Sequence, residues 1–204
     1  DDEDPGWLVD GDDEDGIAPA DPMIPGQDAS FQVAVAGTGN VYAWVDLNGD
    51  GALHPTDELV ISETDYTGTS NLSFHVPYDA TPGDVLTRFR VVDPAEVAGG
   101  WTPLPTGLAR SGEVEDNLFT IHEIDYGDAP DDYATLRASD GARHVILGPM
   151  LGTLVDHDLN GEPGVDADGD DLLDANDDED GVVIPDKLIP GYLAPFDVTM
   201  SETA

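Results

Sequence analysis

Asp46-Leu47-Asn48-Gly49-Asp50-Gly51-Ala52-Leu53-His54-Pro55-Thr56-Asp57-Glu58 is the stretch on which the reading of this chain turns. Oxygen-bearing side chains stand at its first, third and fifth positions (Asp46, Asn48, Asp50), and glycine stands at the sixth. A carboxylate, Asp57 or Glu58, closes it at the twelfth or thirteenth. That is the spacing of a calcium loop: alternate side chains converge on one centre, and the glycine lets the backbone turn so that the Ala52 carbonyl joins them. His54, at position nine, is expected to face solvent. Working outward, Val41-Tyr42-Ala43-Trp44-Val45 on one side and Glu58-Leu59-Val60-Ile61-Ser62 on the other read as strands. The loop therefore joins two strands and not two helices. An acidic β-turn without metal is the plainer alternative.

The rest of the composition favours metal. Of 204 residues, 45 are Asp or Glu against six Lys or Arg, a formal net charge of -39. A chain so charged repels itself unless cations screen it, and it repels nucleic acid and anionic membranes. Asp outnumbers Glu by 34 to 11, and the acid is clustered in Asp-x-Asp ladders where a salt-adapted surface would spread it. With 39% hydrophobic residues the chain has material for a core. It has no cysteine, so disulfides and cysteine zinc sites are excluded, and calcium is the available cross-link. The longest apolar run, Val145 to Val155, carries Gly148, Pro149 and Gly152 and is too short to span a bilayer, so no membrane insertion is expected. The first residues are already acidic, as in a mature or internal fragment.

Taken in order, residues 1–16 form an acidic lead. Phe31-Gln32-Val33-Ala34-Val35 alternates as a half-buried strand does, and Gly37 to Asn40 reads as a turn. Further strands are expected at Leu72–Val76, Val85–Val92 and Val114–Ile124, separated by Pro and Gly signals. Arg88 and Arg90 fall on one face of their strand and are expected to pair with carboxylates in a structural role. Short punctuated strands without helical period predict an all-β fold, an Ig-like antiparallel β-sandwich with calcium-binding loops.

Trp44-Val45-Asp46-Leu47-Asn48-Gly49-Asp50-Gly51, the run from Pro77 through Gly83 to Arg88-Phe89-Arg90, and Ser111-Gly112-Glu113-Val114-Glu115-Asp116 together resemble the GEVED domain. The resemblance spans about residues 20–124; where the family usually has tyrosine after the string, Asn117 stands. It implies a non-catalytic β module of large secreted or cell-surface bacterial proteins, often in multidomain arrays, and it supplies no reaction.

Residues 125–181 differ in kind, forming an irregular acidic connector. Asp125-Tyr126-Gly127-Asp128-Ala129-Pro130 resembles the connector seen beside GEVED modules. Asp156, Asp158, Asn160 and Glu162 make one ladder, and Asp166, Asp168, Asp170, Asp174 and Asp177 a second. The second resembles a thrombospondin type 3 calcium repeat with Asp171 in place of the glycine. Both are expected to bind Ca2+, giving several sites along the chain; a flexible acidic linker is the alternative.

The chain then repeats itself. Asp12-Asp13-Glu14-Asp15-Gly16-Ile17 returns as Asp177-Asp178-Glu179-Asp180-Gly181-Val182, Ile24-Pro25-Gly26 as Ile189-Pro190-Gly191, and Phe31-Gln32-Val33 as Phe196-Asp197-Val198, each pair 165 positions apart. A gapless spacing points to tandem units, which build rods and fibres. The expected organisation is therefore 1–16 as the end of a preceding connector, 17–124 as the GEVED-like sandwich, 125–181 as the acidic calcium-binding connector, and 182–204 as the first strand of a next repeat or a strand docked on a neighbouring subunit.

Other chemistry lacks a constellation. Carboxylate pairs carry little information in so acidic a chain, and His54, His75, His122, His144 and His157 are scattered. No nucleophile elbow and no phosphate-binding glycine loop is visible, so the chain is not expected to be an enzyme. The leading expectation is a calcium-stabilised extracellular or cell-surface structural repeat that assembles with neighbouring copies. A calcium-dependent adhesin module for carbohydrate or another surface ligand, using Trp7 or Trp101, and a non-catalytic appendage of a secreted hydrolase are the alternatives.

Overall fold

A computed structural model describes residues 15–169, 180–185 and 187–202. The acidic lead before residue 15, and Asp170, Asp174 and Asp177 of the second ladder, lie outside the described residues. The chain divides into two compact units, Asp1–His122 and Glu123–Ala204.

The first unit contains β1 (Ile17–Pro19), β2 (Asp28–Val45), β3 (Leu59–His75), β4 (Gly83–Val92) and β5 (Glu113–Ile121), with one short helix, α1 (Pro94–Ala98). All five strands belong to one antiparallel sheet. β2 is its spine. Its first half pairs with β1 (Ile17↔Val33), its second half pairs with β4 (Ala43↔Phe89), and β3 follows it along nearly its whole length. The expected turn at Gly37 to Asn40 is instead part of β2. The ladder with β3 changes register between Val35 and Thr38, where β2 carries two extra residues, Ala36 and Gly37, and Gly37, at φ 102°, lets them bulge. For the same reason the strands expected at 58–62 and 72–76 are one strand, bent at Asp65 and Gly68, whose φ values are 51° and 75°.

These bulges curl the sheet until its two halves face each other. Phe31, from the first half of β2, stacks on Phe74 of β3 at 5.5 Å and meets Phe89 of β4 edge-on at 5.2 Å. It also meets Phe119 of β5 at 5.0 Å. A parallel bridge between Met23 and Ile121 ties the edges together. The core comprises Val33, Val41, Val45, Val76, Ile121 and their neighbours, all buried, as alternation in β2 requires. The fold is all-β, and its two layers are the halves of a single sheet.

The Gly-Glu-Val-Glu-Asp string opens β5, and three of its residues have distinct tasks. Gly112 lies at φ 87°, and a Cβ there would stand 1.7 Å from the carbonyl oxygen of Val91. Glu115 is buried, and its Oε1 accepts the Gly16 N–H at 3.2 Å, holding the entry of β1. Asp116 takes Arg88 as a two-pronged pair, with Nε donating to Oδ1 at 2.6 Å and Nη2 donating to Oδ2. Arg90 departs from the expectation of a carboxylate partner. It is buried and donates to the carbonyls of Leu104 (2.8 Å), Thr106 (3.1 Å) and Gly107 (2.9 Å), under the ring of Trp101. A planar fork of donors suits a loop of carbonyls that has no strand partner of its own.

In the second unit, β6 (Ile124–Tyr126) pairs with β7 (Arg143–Val145), and β8 (Pro149–Leu151) follows. Near its end, β9 (Val182–Val183) pairs with β10 (Asp197–Val198), and β11 (Met200–Glu202) pairs with β8. Tyr126 is buried against Arg143. Asp128 is buried too, its Oδ2 accepting Gly169 N–H at 2.9 Å, so the Asp-Tyr-Gly-Asp stretch anchors this unit from within.

Gly112→Ala in the full chain should destabilise the first unit by at least about 2 kcal/mol, since a left-handed alanine costs roughly 1–2 kcal/mol before the clash with Val91 is relieved. Urea unfolding followed by tryptophan fluorescence measures it, and an unmoved midpoint contradicts this account of the motif.

Candidate metal centre

The Asp46–Glu58 loop is held from three sides. Trp44, fully buried beneath it, donates from Nε1 to the Pro55 carbonyl at 3.3 Å. At its mouth the Val45 N–H bonds to the Glu58 carbonyl at 3.1 Å, and the Asp46 N–H bonds to the Leu86 carbonyl at 3.0 Å. Thr81 grips it laterally: its N–H bonds to the Leu47 carbonyl at 2.8 Å and its hydroxyl donates to the Asn48 carbonyl at 2.9 Å. Gly49 leaves room for that grip, because a Cβ there would press on Thr81 at 3.1 Å. Thr81 is the residue that sequence reasoning missed. It lies more than thirty positions away, and no local spacing flags it.

Within the loop, Asp46 is buried and its two oxygens accept the N–H groups of Asp50 (3.2 Å) and Gly51 (3.0 Å). Asn48 Oδ1 also accepts Asp50 N–H at 2.9 Å, and Asp50 Oδ1 accepts Ala52 N–H at 2.9 Å. These bonds give the loop its turn, and each oxygen keeps a further lone pair. Asp57 is exposed, whereas Glu58 is buried. Glu58 Oε2 accepts His54 N–H at 2.7 Å, which turns the carboxyl back toward the loop. Its Oε1 is buried with no hydrogen-bond partner. A buried carboxylate oxygen left unpaired is costly. A cation would supply the missing partner, and the donor set, carboxylates with an amide oxygen and backbone carbonyls, is of the kind a hard oxygen-seeking ion such as calcium takes.

His54 is exposed, as expected, yet its Nε2 lies 2.8 Å from Asp50 Oδ2. That hydrogen bond holds Asp50 below the usual carboxylate range and raises the histidine above its ordinary value. Among the described residues no three acidic or histidine side chains stand close enough together to form a ready-made metal cluster.

The connector ladders are placed differently. Asp158 Oδ2 accepts Tyr126 N–H at 3.0 Å, and Asn160 Oδ1 accepts Arg137 N–H at 2.8 Å, so these two rungs serve separate backbone groups. Asp156 and Glu162 are partly buried, as is Asp168, while Asp166 is exposed. Trp101, one of the two candidate ligand-stacking aromatics, is engaged by Arg90 at 5.2 Å and by Tyr42 at 5.8 Å; Trp7 lies outside the described residues. Among the described residues no helix is long and apolar enough to cross a membrane.

A curled antiparallel sheet carrying a strand-to-strand acidic loop and the Gly112–Asp116 string defines an all-β module. Residues 40–120 match the family model of the GEVED domain. The match covers less than half of the chain and leaves the connector and the closing segment outside it. No curated protein matches the chain, and no solved structure matches it.

Glu58→Gln should abolish calcium binding at this loop, whereas Asp57→Asn, at an exposed position, should leave it within about twofold. Titration calorimetry on the full chain reads the number of sites. Loss of one site in Asp57→Asn and none in Glu58→Gln would reverse the assignment.

Proposed function

We propose that this chain is a calcium-stabilised, non-catalytic structural repeat of an extracellular or cell-surface array, and that copies of it assemble end to end. The observation that carries this reading is the 165-residue repeat, whose second copy opens with the strand pairing and the turn that open the first. Ile17 pairs with Val33 and Ala18 with Gln32; 165 positions on, Val182 pairs with Val198 and Val183 with Asp197. The Ala34 N–H bonds to the Gly16 carbonyl at 2.8 Å, and the Thr199 N–H bonds to the Gly181 carbonyl at 2.8 Å. Gly26 and Gly191 turn at φ 77° and 84°. Units that recur in register are the parts of a linear assembly.

Calcium enters this reading as the stabiliser. Asp46, Asn48, Asp50 and Glu58, with the Ala52 carbonyl, would hold the ion in the first loop. The ion would join strands β2 and β3 where their ladder ends. Elsewhere it offsets carboxylates whose mutual repulsion, at 4 Å, costs about 1 kcal/mol per pair even in water. With six basic residues in the chain, internal ion pairs cannot balance the charge, and bound cations are the remaining source.

Calcium at a hundredfold excess over its dissociation constant should stabilise the folded chain by about 2.7 kcal/mol, which raises the melting temperature by roughly 10 °C. Electron microscopy of the purified protein should show linear assemblies in calcium that shorten or disperse in chelator. A melting point indifferent to calcium contradicts the stabiliser role, and dispersed particles under both conditions contradict assembly.

A further inference from the structure

The second copy of the repeat leaves a core element without its core. Phe31 is 1% exposed and Val33 0%, whereas their counterparts Phe196 and Val198 are 50% and 56% exposed. Met200, the counterpart of buried Val35, is 67% exposed. Yet the backbone around them is already shaped as in the first copy, with β9 paired to β10 in the register of β1 on β2. What differs is the other edge. In the first copy the backbone groups of Phe31, Val33 and Val35 face β3, which pairs Leu72 opposite Phe31, Ser70 opposite Val33 and Gly68 opposite Val35. In the second copy, β9 and β8 both lie on the edge reached by Thr199, whose N–H goes to Gly181 and whose carbonyl accepts from Gly152. Successive residues of a strand turn their backbone groups to opposite edges. The edge of Phe196, Val198 and Met200 therefore has no strand partner among the described residues.

We propose that this edge, residues 195–202, is a docking site for one antiparallel strand of β3 chemistry, supplied by a further repeat of the same kind. The partner's chemistry follows from what β3 does in the first copy. Phe74 stacks on Phe31, so the incoming strand carries an aromatic residue to cover Phe196. Tyr66 places its hydroxyl 2.7 Å from the Val33 carbonyl, so a tyrosine at the same position reaches the Val198 carbonyl. Phe196, Val198 and Met200 stand half exposed or more and offer a partner the apolar surface that β3 covers in the first copy. An unpaired, apolar strand edge left in water invites strand addition.

The inference rests on the repeat reading above, and its test is separate from microscopy. Gln32 and Asn71 face each other across β2 and β3, with side chains on the exposed face. The counterpart of Gln32 is Asp197, and the chain has no cysteine of its own. The full chain carrying Asp197→Cys is mixed with a synthetic peptide of residues 63–77 bearing Asn71→Cys as an activated disulfide. Cross-linking should run at least tenfold faster than with peptides bearing the cysteine at Ser70 or Leu72. A chain carrying Gln32→Cys, whose edge β3 already fills, should react no faster than those controls. Equal rates for all peptides, or a disulfide-linked dimer of Asp197→Cys chains that excludes the peptide, overturns the proposal even where microscopy shows arrays. Register-specific labelling without arrays upholds the docking site and removes end-to-end assembly alone.

Discussion

Phe31 is the contact on which the first unit depends. It sits on the early half of β2, yet it touches Phe89 on β4, which pairs with the late half of β2, and Phe119 on β5, which pairs with β4. Those contacts exist only because the ladder of β2 and β3 shifts register three times and bends the sheet onto itself. A flat sheet of the same strands would present one apolar face to water. The bulges convert a single sheet into two layers with one core between them, and four aromatic rings fill the place where the halves meet. Aromatic pairs at 5.0–5.5 Å contribute beyond the area they bury.

The arginines finish what the curl begins. Of the two arginines on β4, Arg88 is spent on a carboxylate. Arg90, beside it on the same face, is buried among carbonyls of the 104–107 loop. Burial, and then the neighbouring Arg88, push its guanidinium downward from the ordinary arginine value, whereas the hydrogen bond to Asp116 pushes Arg88 upward. In a chain this acidic, a buried cation with no carboxylate beside it is unexpected. Its donors replace the strand partner that the loop lacks, and Trp101 closes over it. The GEVED string serves the same end, since Gly112 lets β5 approach Val91 and Asp116 fixes Arg88.

The features legible in the sequence were those whose signal is local or periodic. The acidic loop between two strands, the alternation of Phe31 to Val35, the 165-residue repeat and the GEVED stretch each occupy a short window. Features decided by distant partners were not legible. Gly37 reads as a turn because glycine with a left-handed backbone serves turns and bulges alike, and only the register of β3, some thirty residues on, separates the two. Asp57 and Glu58 stand equally well at the end of the loop by spacing. Their burial differs: Glu58 is turned back onto the loop by the His54 N–H, while Asp57 is exposed. Thr81 and the carbonyl partners of Arg90 are set by tertiary placement and leave no pattern of their own.

The two ends of the repeat show how one unit prepares the next. In the first unit a single edge of β2 receives β1 near its start and β4 near its end. In the second unit a single edge of the copied strand receives β9 and then β8, which belongs to the connector. Gly152 and Gly181 make this possible: a Cβ on Gly152 would stand 1.5 Å from Asp180 Oδ1, and one on Gly181 would stand 2.5 Å from the Leu151 side chain. Asp180 holds the junction, accepting the Thr153 N–H at 2.8 Å and its hydroxyl at 2.6 Å, which lowers its pKa from the usual carboxylate value. A folded-state value below the unfolded one means this contribution is present above the unfolded pKa and is lost as pH falls through the folded one. Asp180 thus does more than carry charge. Its carboxylate fastens Thr153 beside the opening of the copied strand, which is paired on one edge and, among the described residues, has no strand on the other.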